Sequence, residues 1–144
     1  MQPLVMLVDD EVPFVNTMTK RLEKRDLKII TAYSGEEALE TLKIHKNTDV
    51  IILDVKMPGM DGIETLREIK KTYPLTEVIM LTAHGTIESA IEGMKLGAYD
   101  YLMKPCDMEK LMSKVEAATS KKRDHQQKIR DVKVREALAE HGLA

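Results

Sequence analysis

Apolar and polar residues follow two alternating patterns along the chain. Five short apolar runs, at Leu4–Val8, 27–32, Val50–Leu53, 78–81 and the weaker 99–103, are separated by longer segments in which apolar residues recur every three or four positions. Three of the runs contain almost only valine, isoleucine, leucine and methionine. Such composition is typical of strands that are covered on both faces of a parallel sheet.

The segments between the runs carry residues that begin and end helices. These are a proline suited to a first helical turn (Pro13), N-cap residues followed three positions later by glutamate (Ser34 with Glu37, Asp61 with Glu64), two further N-cap residues (Thr86, Asp107) and a helix-ending glycine (Gly97). Strand and helix alternate five times, and right-handed crossovers then predict a doubly wound α/β fold with a five-stranded parallel sheet.

The pattern changes after residue 119. Residues 120–135 are dense in lysine, arginine, aspartate and glutamine, with few apolar positions. Ile129, Val132 and Leu138 could form a thin apolar seam. Lys122 and His125 would interrupt a heptad repeat that continued this seam. Two interpretations stay open, a partly solvated extension of the last helix and a frayed tail. The predicted organisation is one domain over residues 1–119 and a charged helical extension or linker over residues 120–144.

Composition narrows the class of protein. The chain has 144 residues, of which 43% are hydrophobic and 32% charged, with a net charge of -2. Nothing in this balance indicates nucleic acid or an anionic membrane as a partner. The lone Cys106 excludes a disulfide within the chain, and the first apolar run is too short to cross a bilayer. We expect a cytoplasmic protein.

Polar residues with related chemistry follow the strands. The first strand is followed by Asp9-Asp10-Glu11, the third by Asp54, the fourth by Thr82-Ala83 and the fifth by Lys104-Pro105. In a parallel sheet these ends share one edge, where doubly wound folds bind their ligands. Carboxylates, a hydroxyl and an ammonium group are therefore expected to converge there.

This set of groups indicates metal-dependent phosphoryl chemistry. Neighbouring carboxylates repel each other, and Mg²⁺, which prefers oxygen ligands, removes that repulsion. A phosphoryl group fits beside the metal because Lys104, the Thr82 hydroxyl and the backbone N–H of Ala83 can bind its oxygens. Asp54 is the best-placed nucleophile, since it ends the central strand before a turn-rich loop, and its attack gives an aspartyl phosphate.

Four segments together resemble the signature of response-regulator receiver domains of two-component signalling. They are Val8-Asp9-Asp10-Glu11, the loop from Leu53 to Gly62 with Pro58-Gly59 at its bend, Leu81-Thr82-Ala83 and Lys104-Pro105. The resemblance covers about residues 4–118. It implies a flavodoxin-like fold with strand order 2-1-3-4-5, a strand order that receivers share with flavodoxin, and a cis bond between Lys104 and Pro105.

The resemblance also implies roles for the residues at the sheet edge. Asp54 would accept a phosphoryl group from a sensor histidine kinase or a phosphotransfer protein, with Mg²⁺ as the cofactor. Asp10, Asp54 and the backbone carbonyl of Lys56 resemble the direct metal ligands, and Asp9 acts through water. Lys104 resembles the lysine that binds the phosphoryl group.

Switching and rate-tuning roles follow from the same resemblance. Thr82 binds the phosphoryl group and moves with Tyr101, which reports phosphorylation to the face formed by the fourth helix, fifth strand and fifth helix. That face would bind a partner or a second copy of the chain. Lys56 and His84 occupy the two positions that tune how fast water removes the phosphoryl group.

Simpler explanations exist for each residue taken alone. Asp9 and Asp10 could cap a helix, Asp54 could be a turn residue, and Lys104 could be a solvated surface lysine. Tyr101 could be ordinary packing and His84 an ordinary loop histidine. These explanations must all hold together to replace the phosphoryl site.

Two other functions stay open. Haloacid-dehalogenase phosphatases also combine an aspartyl nucleophile with Mg²⁺, but their nucleophile ends the first strand and a second aspartate lies two residues on. A receiver that binds partners without being phosphorylated is the other alternative. We expect a self-modifying switch rather than a turnover enzyme, either standing alone or as a piece of a longer regulator with an effector domain.

Overall fold

The computed structural model describes residues 2–142, which form five strands and five helices in strict alternation. The elements are β1 Leu4–Val8, α1 Val12–Glu23, β2 Lys28–Ala32, α2 Gly35–Ile44, β3 Val50–Leu53, α3 Gly62–Thr72, β4 Glu77–Thr82, α4 Ile87–Lys95, β5 Asp100–Met103 and α5 Met108–Glu140. Each apolar run coincides with a strand to within one residue at either end, so the predicted alternation is confirmed.

The five strands form one sheet with the order β2-β1-β3-β4-β5, and all four pairings are parallel. Both the doubly wound architecture and the strand order are as predicted. The register places Leu53, the last residue of β3, beside Val8 of β1 and Met80 of β4. The residues that follow these strands therefore lie along the same edge of the sheet.

Two apolar cores cover the faces of the sheet. Val5 and Leu7 point into the core shared with α1 and α5, whereas Met6 and Val8 point into the core shared with α2 and α3. Because successive strand residues face opposite sides, a strand that is buried on both faces needs an unbroken apolar run. This requirement explains the composition of β1, β3 and most of β4.

Most of the predicted helix signals act as expected. The Ser34 and Asp61 side chains accept hydrogen bonds from the backbone N–H groups of Glu37 and Glu64, at 3.0 and 2.9 Å. Thr86 caps α4, and Gly97 follows that helix with a positive φ of 103°. Asp107 occupies the N-cap position of α5 as predicted, but its side chain accepts no capping hydrogen bond.

The last helix continues through the charged segment. α5 has 33 residues, which correspond to a length of about 50 Å. The helical interpretation of residues 120–140 is thus confirmed over the frayed-tail alternative. Residues 127–140 are exposed throughout. Among residues 2–142, no helix combines the length and the apolar character that crossing a membrane requires.

Candidate functional site

Three carboxylates meet at the carboxyl edge of the sheet. Asp9 follows β1 and Asp54 follows β3, with 1% and 2% of their surface exposed. Glu11, at the start of α1, is more exposed, and one carboxylate oxygen from each of the three residues lies within 4.8 Å of the other two. The structure therefore brings Asp9 and Asp54 together as predicted.

Backbone N–H groups orient the two buried carboxylates. The Glu11 N–H donates to Asp9 Oδ1 at 2.9 Å, and the Val55 N–H donates to Asp54 Oδ1 at 2.8 Å. The Asp54 N–H itself donates to the Val8 carbonyl at 3.0 Å, which continues the pairing of β1 with β3. The position of each carboxylate is thus set by the strand that precedes it.

Lys104 brings a positive charge into this cluster from the end of β5. Its Nζ donates to Asp9 Oδ2 at 2.6 Å, lies 3.7 Å from Glu11 Oε1, and sits 3.8 Å from the centre of the Phe14 ring. The bond between Lys104 and Pro105 is cis, as the resemblance predicts. Lys104 is an internal ion-pair partner rather than a solvated surface lysine.

Burial raises the pKa of the Asp54 carboxyl above its ordinary value, and the nearby Asp9 carboxylate adds to this rise. Hydrogen bonding by Thr82 and the charge of Lys104 oppose the rise without cancelling it. The ionised form of Asp54 is therefore disfavoured, and a cation bound beside it would favour that form.

The loop after Asp54 ends at Gly62, which lies very close to the backbone at the end of β3. A Cβ on Gly62 would overlap the Asp54 carbonyl oxygen and lie 2.7 Å from Val55 Cα. Gly59 has a positive φ of 74°, which favours glycine, and the Met57 side chain is buried in the core. The turn-rich loop thus returns to the carboxyl edge of the sheet.

An open cleft of about 460 Å³ adjoins the carboxylates. It is lined by Asp10, Glu11, Lys56, Met57, Pro58 and His84. Asp10 is exposed and lies in this lining rather than among the three clustered carboxylates. The assignment of Asp10 as a metal ligand, and of the Lys56 carbonyl with it, stays a prediction, as do the rate-tuning roles of Lys56 and His84.

Thr82 and Tyr101 lie on neighbouring strands beyond the carboxylates. Thr82 is fully buried, and its Oγ1 accepts a hydrogen bond from the His84 N–H at 3.0 Å. The Tyr101 hydroxyl is 2.7 Å from Ser89 Oγ in the first turn of α4. Ala83, the proposed backbone donor, is exposed at the start of the loop between β4 and α4.

The model of the response regulator receiver domain family matches residues 5–116. The chain belongs to this family. The prediction from the four segments is therefore confirmed at the level of the family.

Relatives of this receiver domain include transcriptional regulators. The chain is 37% identical over 124 residues to the DNA-binding transcriptional regulator NtrC of Escherichia coli strain K12. The matched residues make up 86% of this chain and 26% of that protein. It is 37% identical over 120 residues to the transcriptional regulatory protein ZraR of Salmonella typhimurium, which is 83% of the chain and 27% of that protein. The chain therefore spans about a quarter of the length of these relatives.

Solved structures support the same conclusion. A response regulator receiver domain from Clostridium thermocellum is 37% identical, with a TM-score of 0.80 over 84% of this chain and 97% of that one. The beryllofluoride-activated DrrB receiver domain is 32% identical, with a TM-score of 0.73 over 83% of this chain and 99% of that one.

Two residues of this receiver site were not predicted. Glu11 was visible as the third acidic residue of its run, but its proximity to Asp54 depends on how α1 begins. Ser89 carried no sequence signal for a contact with Tyr101, because the two residues lie on separate elements.

Proposed function

We propose that this receiver domain takes a phosphoryl group onto Asp54 from the phosphohistidine of a sensor histidine kinase or a phosphotransfer protein. The observation that carries the proposal is the buried Asp54 carboxylate beside Asp9 and Glu11, with Lys104 bound to Asp9 at 2.6 Å. An acidic pocket with one ammonium group suits an anion that arrives together with a dication.

The donor set fits Mg²⁺. The three clustered carboxylates offer only oxygen ligands, and the open cleft beside them leaves room for water and an incoming group. We assign Asp10, Asp54 and the backbone carbonyl of Lys56 as direct ligands and Asp9 as a ligand through water. Bound Mg²⁺ would neutralise the charge on these carboxylates and on the phosphoryl oxygens.

The residues of the chain perform the transfer as follows. One oxygen of the Asp54 carboxylate attacks phosphorus, the phosphorus–nitrogen bond breaks, and the histidine ring of the donor leaves with the electron pair and takes a proton. The Lys104 ammonium, the Thr82 hydroxyl and the Ala83 N–H donate to the phosphoryl oxygens. Water later hydrolyses the aspartyl phosphate, at a rate tuned by Lys56 and His84 in the cleft.

Phosphorylation then acts as a switch rather than as one step of turnover. Thr82 and Tyr101 change position in response to the added charge, and this change alters the face formed by α4, β5 and α5. Ile87, Ile91 and Met94 lie exposed on this face, where they suit contact with a partner. The occupant is an effector domain of a longer regulator or a second copy of the chain, and the exposed Ile129, Val132 and Leu138 can extend a homodimer along α5.

The wider assignments follow from the same proposal. Residues 1–119 are the receiver domain, and residues 120–144 are the charged helical extension or linker. NtrC is a DNA-binding regulator, but it is far longer than this chain. We assign no direct nucleic acid or membrane binding to this chain and place it in the cytoplasm with its kinase.

The test is phosphorylation by acetyl phosphate. We expect one added phosphoryl mass in the intact protein with Mg²⁺, none after chelation of Mg²⁺, and none in Asp54→Ala. Asp131→Asn, which changes an exposed carboxylate on α5, should be modified like the natural chain.

Other outcomes would replace the proposal. Sustained hydrolysis of a general phosphomonoester would favour the phosphatase. Absence of both modification and Mg²⁺ binding would leave a receiver that binds partners without phosphorylation.

A further inference from the structure

Helix α4 is weakly anchored by apolar burial. Gly93 is its buried residue, whereas Ile87, Ile91 and Met94 are exposed, Ile87 to 81%. Apolar burial is the main force that positions a helix against a sheet. The placement of α4 therefore depends strongly on polar contacts. The Arg67–Glu92 contact joins exposed side chains at 3.4 Å, whereas the shorter and more buried contact, between Ser89 and Tyr101, lies in the first turn.

Ser89 is the centre of those polar contacts. Its Oγ lies 2.7 Å from the Tyr101 hydroxyl and accepts from the Thr86 N–H at 3.0 Å. The Ser89 N–H in turn donates to Thr86 Oγ1 at 3.0 Å, which completes the capping box of α4. One hydroxyl thus joins the side chain of β5 to the N-terminus of α4.

Tyr101 in turn lies against the loop that joins Thr82 to α4. A Cβ on Gly85 would be 2.7 Å from the Tyr101 hydroxyl and 3.0 Å from Tyr101 Cε1, so the ring covers the Gly85 backbone. On the other side of Gly85, the His84 N–H donates to Thr82 Oγ1 at 3.0 Å. The contacts therefore run without a gap from Thr82, beside Asp54, to the first turn of α4.

We propose that Ser89 is a positioning residue of the switch, whose hydroxyl holds Tyr101 over Gly85 and couples the first turn of α4 to the phosphoryl site. This inference rests on the proposed function, because it concerns the regulation of the same site. In this structure the Ser89–Tyr101 bond is present while the Thr82 side chain hydrogen-bonds beside Asp54. A ligand at Asp54 that is bound by Thr82 favours this arrangement of Thr82, Tyr101 and Ser89. By linkage, loss of the Ser89–Tyr101 bond lowers the affinity for that ligand.

The experiment measures the affinity of the full chain for beryllofluoride with Mg²⁺ by calorimetry. Ser89→Ala and Tyr101→Phe should each weaken binding by about two- to thirtyfold, the range in which residues between two coupled sites change the coupling. The double variant should bind no more weakly than either single variant, because both changes remove the same bond. Ser89→Thr, which keeps the hydroxyl, should restore binding.

Loss of the helix cap must be separated from loss of the Tyr101 contact. Thr86→Ala removes the cap acceptor and leaves the Ser89 hydroxyl available to Tyr101. If Ser89 acts through Tyr101, the effects of Thr86→Ala and Tyr101→Phe on affinity should multiply. Urea unfolding of every variant shows that each is folded under the conditions of the titration.

The outcomes distinguish this inference from the proposed function. If the natural chain does not bind beryllofluoride, the phosphoryl site itself fails. Ser89 has no positioning role if the natural chain binds but Ser89→Ala leaves the affinity unchanged. The same holds if the effects of Ser89→Ala and Tyr101→Phe on affinity multiply in the double variant. The same conclusion follows if the effects of Thr86→Ala and Tyr101→Phe on affinity depart from multiplication as much as those of Ser89→Ala and Tyr101→Phe do.

Discussion

Gly62, the first residue of α3, lies in close contact with the backbone at the end of β3. Its N–H donates to the Val55 carbonyl at 2.7 Å, and a Cβ there would overlap backbone atoms of Asp54 and Val55. Backbone atoms cannot rotate away as a side chain would. A substitution at this position must therefore displace either the loop or Asp54.

We predict that Gly62→Ala lowers the free energy of unfolding by about 1–3 kcal/mol, as overpacking of a tight site does. The measurement is urea unfolding followed by circular dichroism. Phosphorylation by acetyl phosphate should also slow, because Asp54 moves with the displaced backbone.

Gly93→Ala in α4 is the matched control. A Cβ there meets its nearest neighbours at 3.7 and 3.8 Å, which is ordinary contact, and alanine favours a helix interior by about 1 kcal/mol over glycine. Gly93→Ala should therefore be neutral or stabilising. Equal losses at positions 62 and 93 would contradict the close-approach argument.

At the scale of elements, α5 is held to the sheet by ion pairs at the edge opposite Asp54. Acidic residues stand at the amino ends of three strands, namely Asp49 before β3, Glu77 in β4 and Asp100 in β5. They pair with Lys122 and Arg123, with Lys121, and with Lys114 of α5, at 2.8–3.2 Å. This row of pairs fixes the direction in which the helix leaves the sheet.

Asp49 is buried to the same degree as Glu77, with 4% of its surface exposed. It also accepts from the Leu4 N–H at 2.9 Å, so it joins β1 and α5. We predict that Asp49→Asn lowers the free energy of unfolding at pH 7 by about 3 kcal/mol, since it leaves the buried Lys122 without its counter-charge. Asp124→Asn, which breaks only an exposed pair with Lys128, should change it by less than about 0.5 kcal/mol.

The effect of Asp49→Asn should depend on pH in a defined direction. Burial opposes ionisation, but hydrogen bonds from Arg123, Leu4 and Lys122 outweigh it and lower the pKa of Asp49. A group with a lowered folded-state pKa stabilises the protein above its unfolded pKa of about 3.9 and loses that effect as pH falls through the folded value. The stability gap between the natural chain and the variant should therefore shrink below about pH 4. A gap that widens there would contradict the assignment.

At the scale of the whole molecule, the carboxylate cluster and the ion pairs that anchor α5 lie at opposite edges of the sheet. The carboxylates and Lys104 lie at the carboxyl edge, and the ion pairs of α5 lie at the amino edge. Beyond Arg123, residues 124–140 extend the helix by about 25 Å with few contacts to the rest of the chain. The projecting helix is thus fixed at its base while its tip is free to meet a partner.

Truncation tests where the receiver ends. We predict that a chain ending after Gln127 keeps the free energy of unfolding within about 1 kcal/mol, because residues 128–142 are exposed. A chain ending after Thr119 should lose as much as Asp49→Asn or more, since it lacks Lys121, Lys122 and Arg123. Equal stability of both truncated chains, measured by urea unfolding, would instead support a boundary after residue 119.

The sequence alone determined the order of the elements and the residues of the carboxyl edge. Strands buried on both faces require unbroken apolar runs, and helix caps are local signals, so both can be recognised along the chain. Asp9, Asp54 and Lys104 each follow a strand directly and Thr82 ends one, and a parallel sheet gathers such positions. Topology therefore made their meeting predictable without any knowledge of side-chain geometry.

Only the tertiary structure decided which side chains form pairs. The bonds from Lys104 to Asp9, Lys122 to Asp49 and Tyr101 to Ser89 depend on sheet register and on side-chain rotamers, which no local pattern reports. For the same reason, a charged segment that could be read as a frayed tail is a continuous helix, since the partner that anchors it lies 73 residues away. Asp107 illustrates the converse, because a correct capping position did not produce a capping bond.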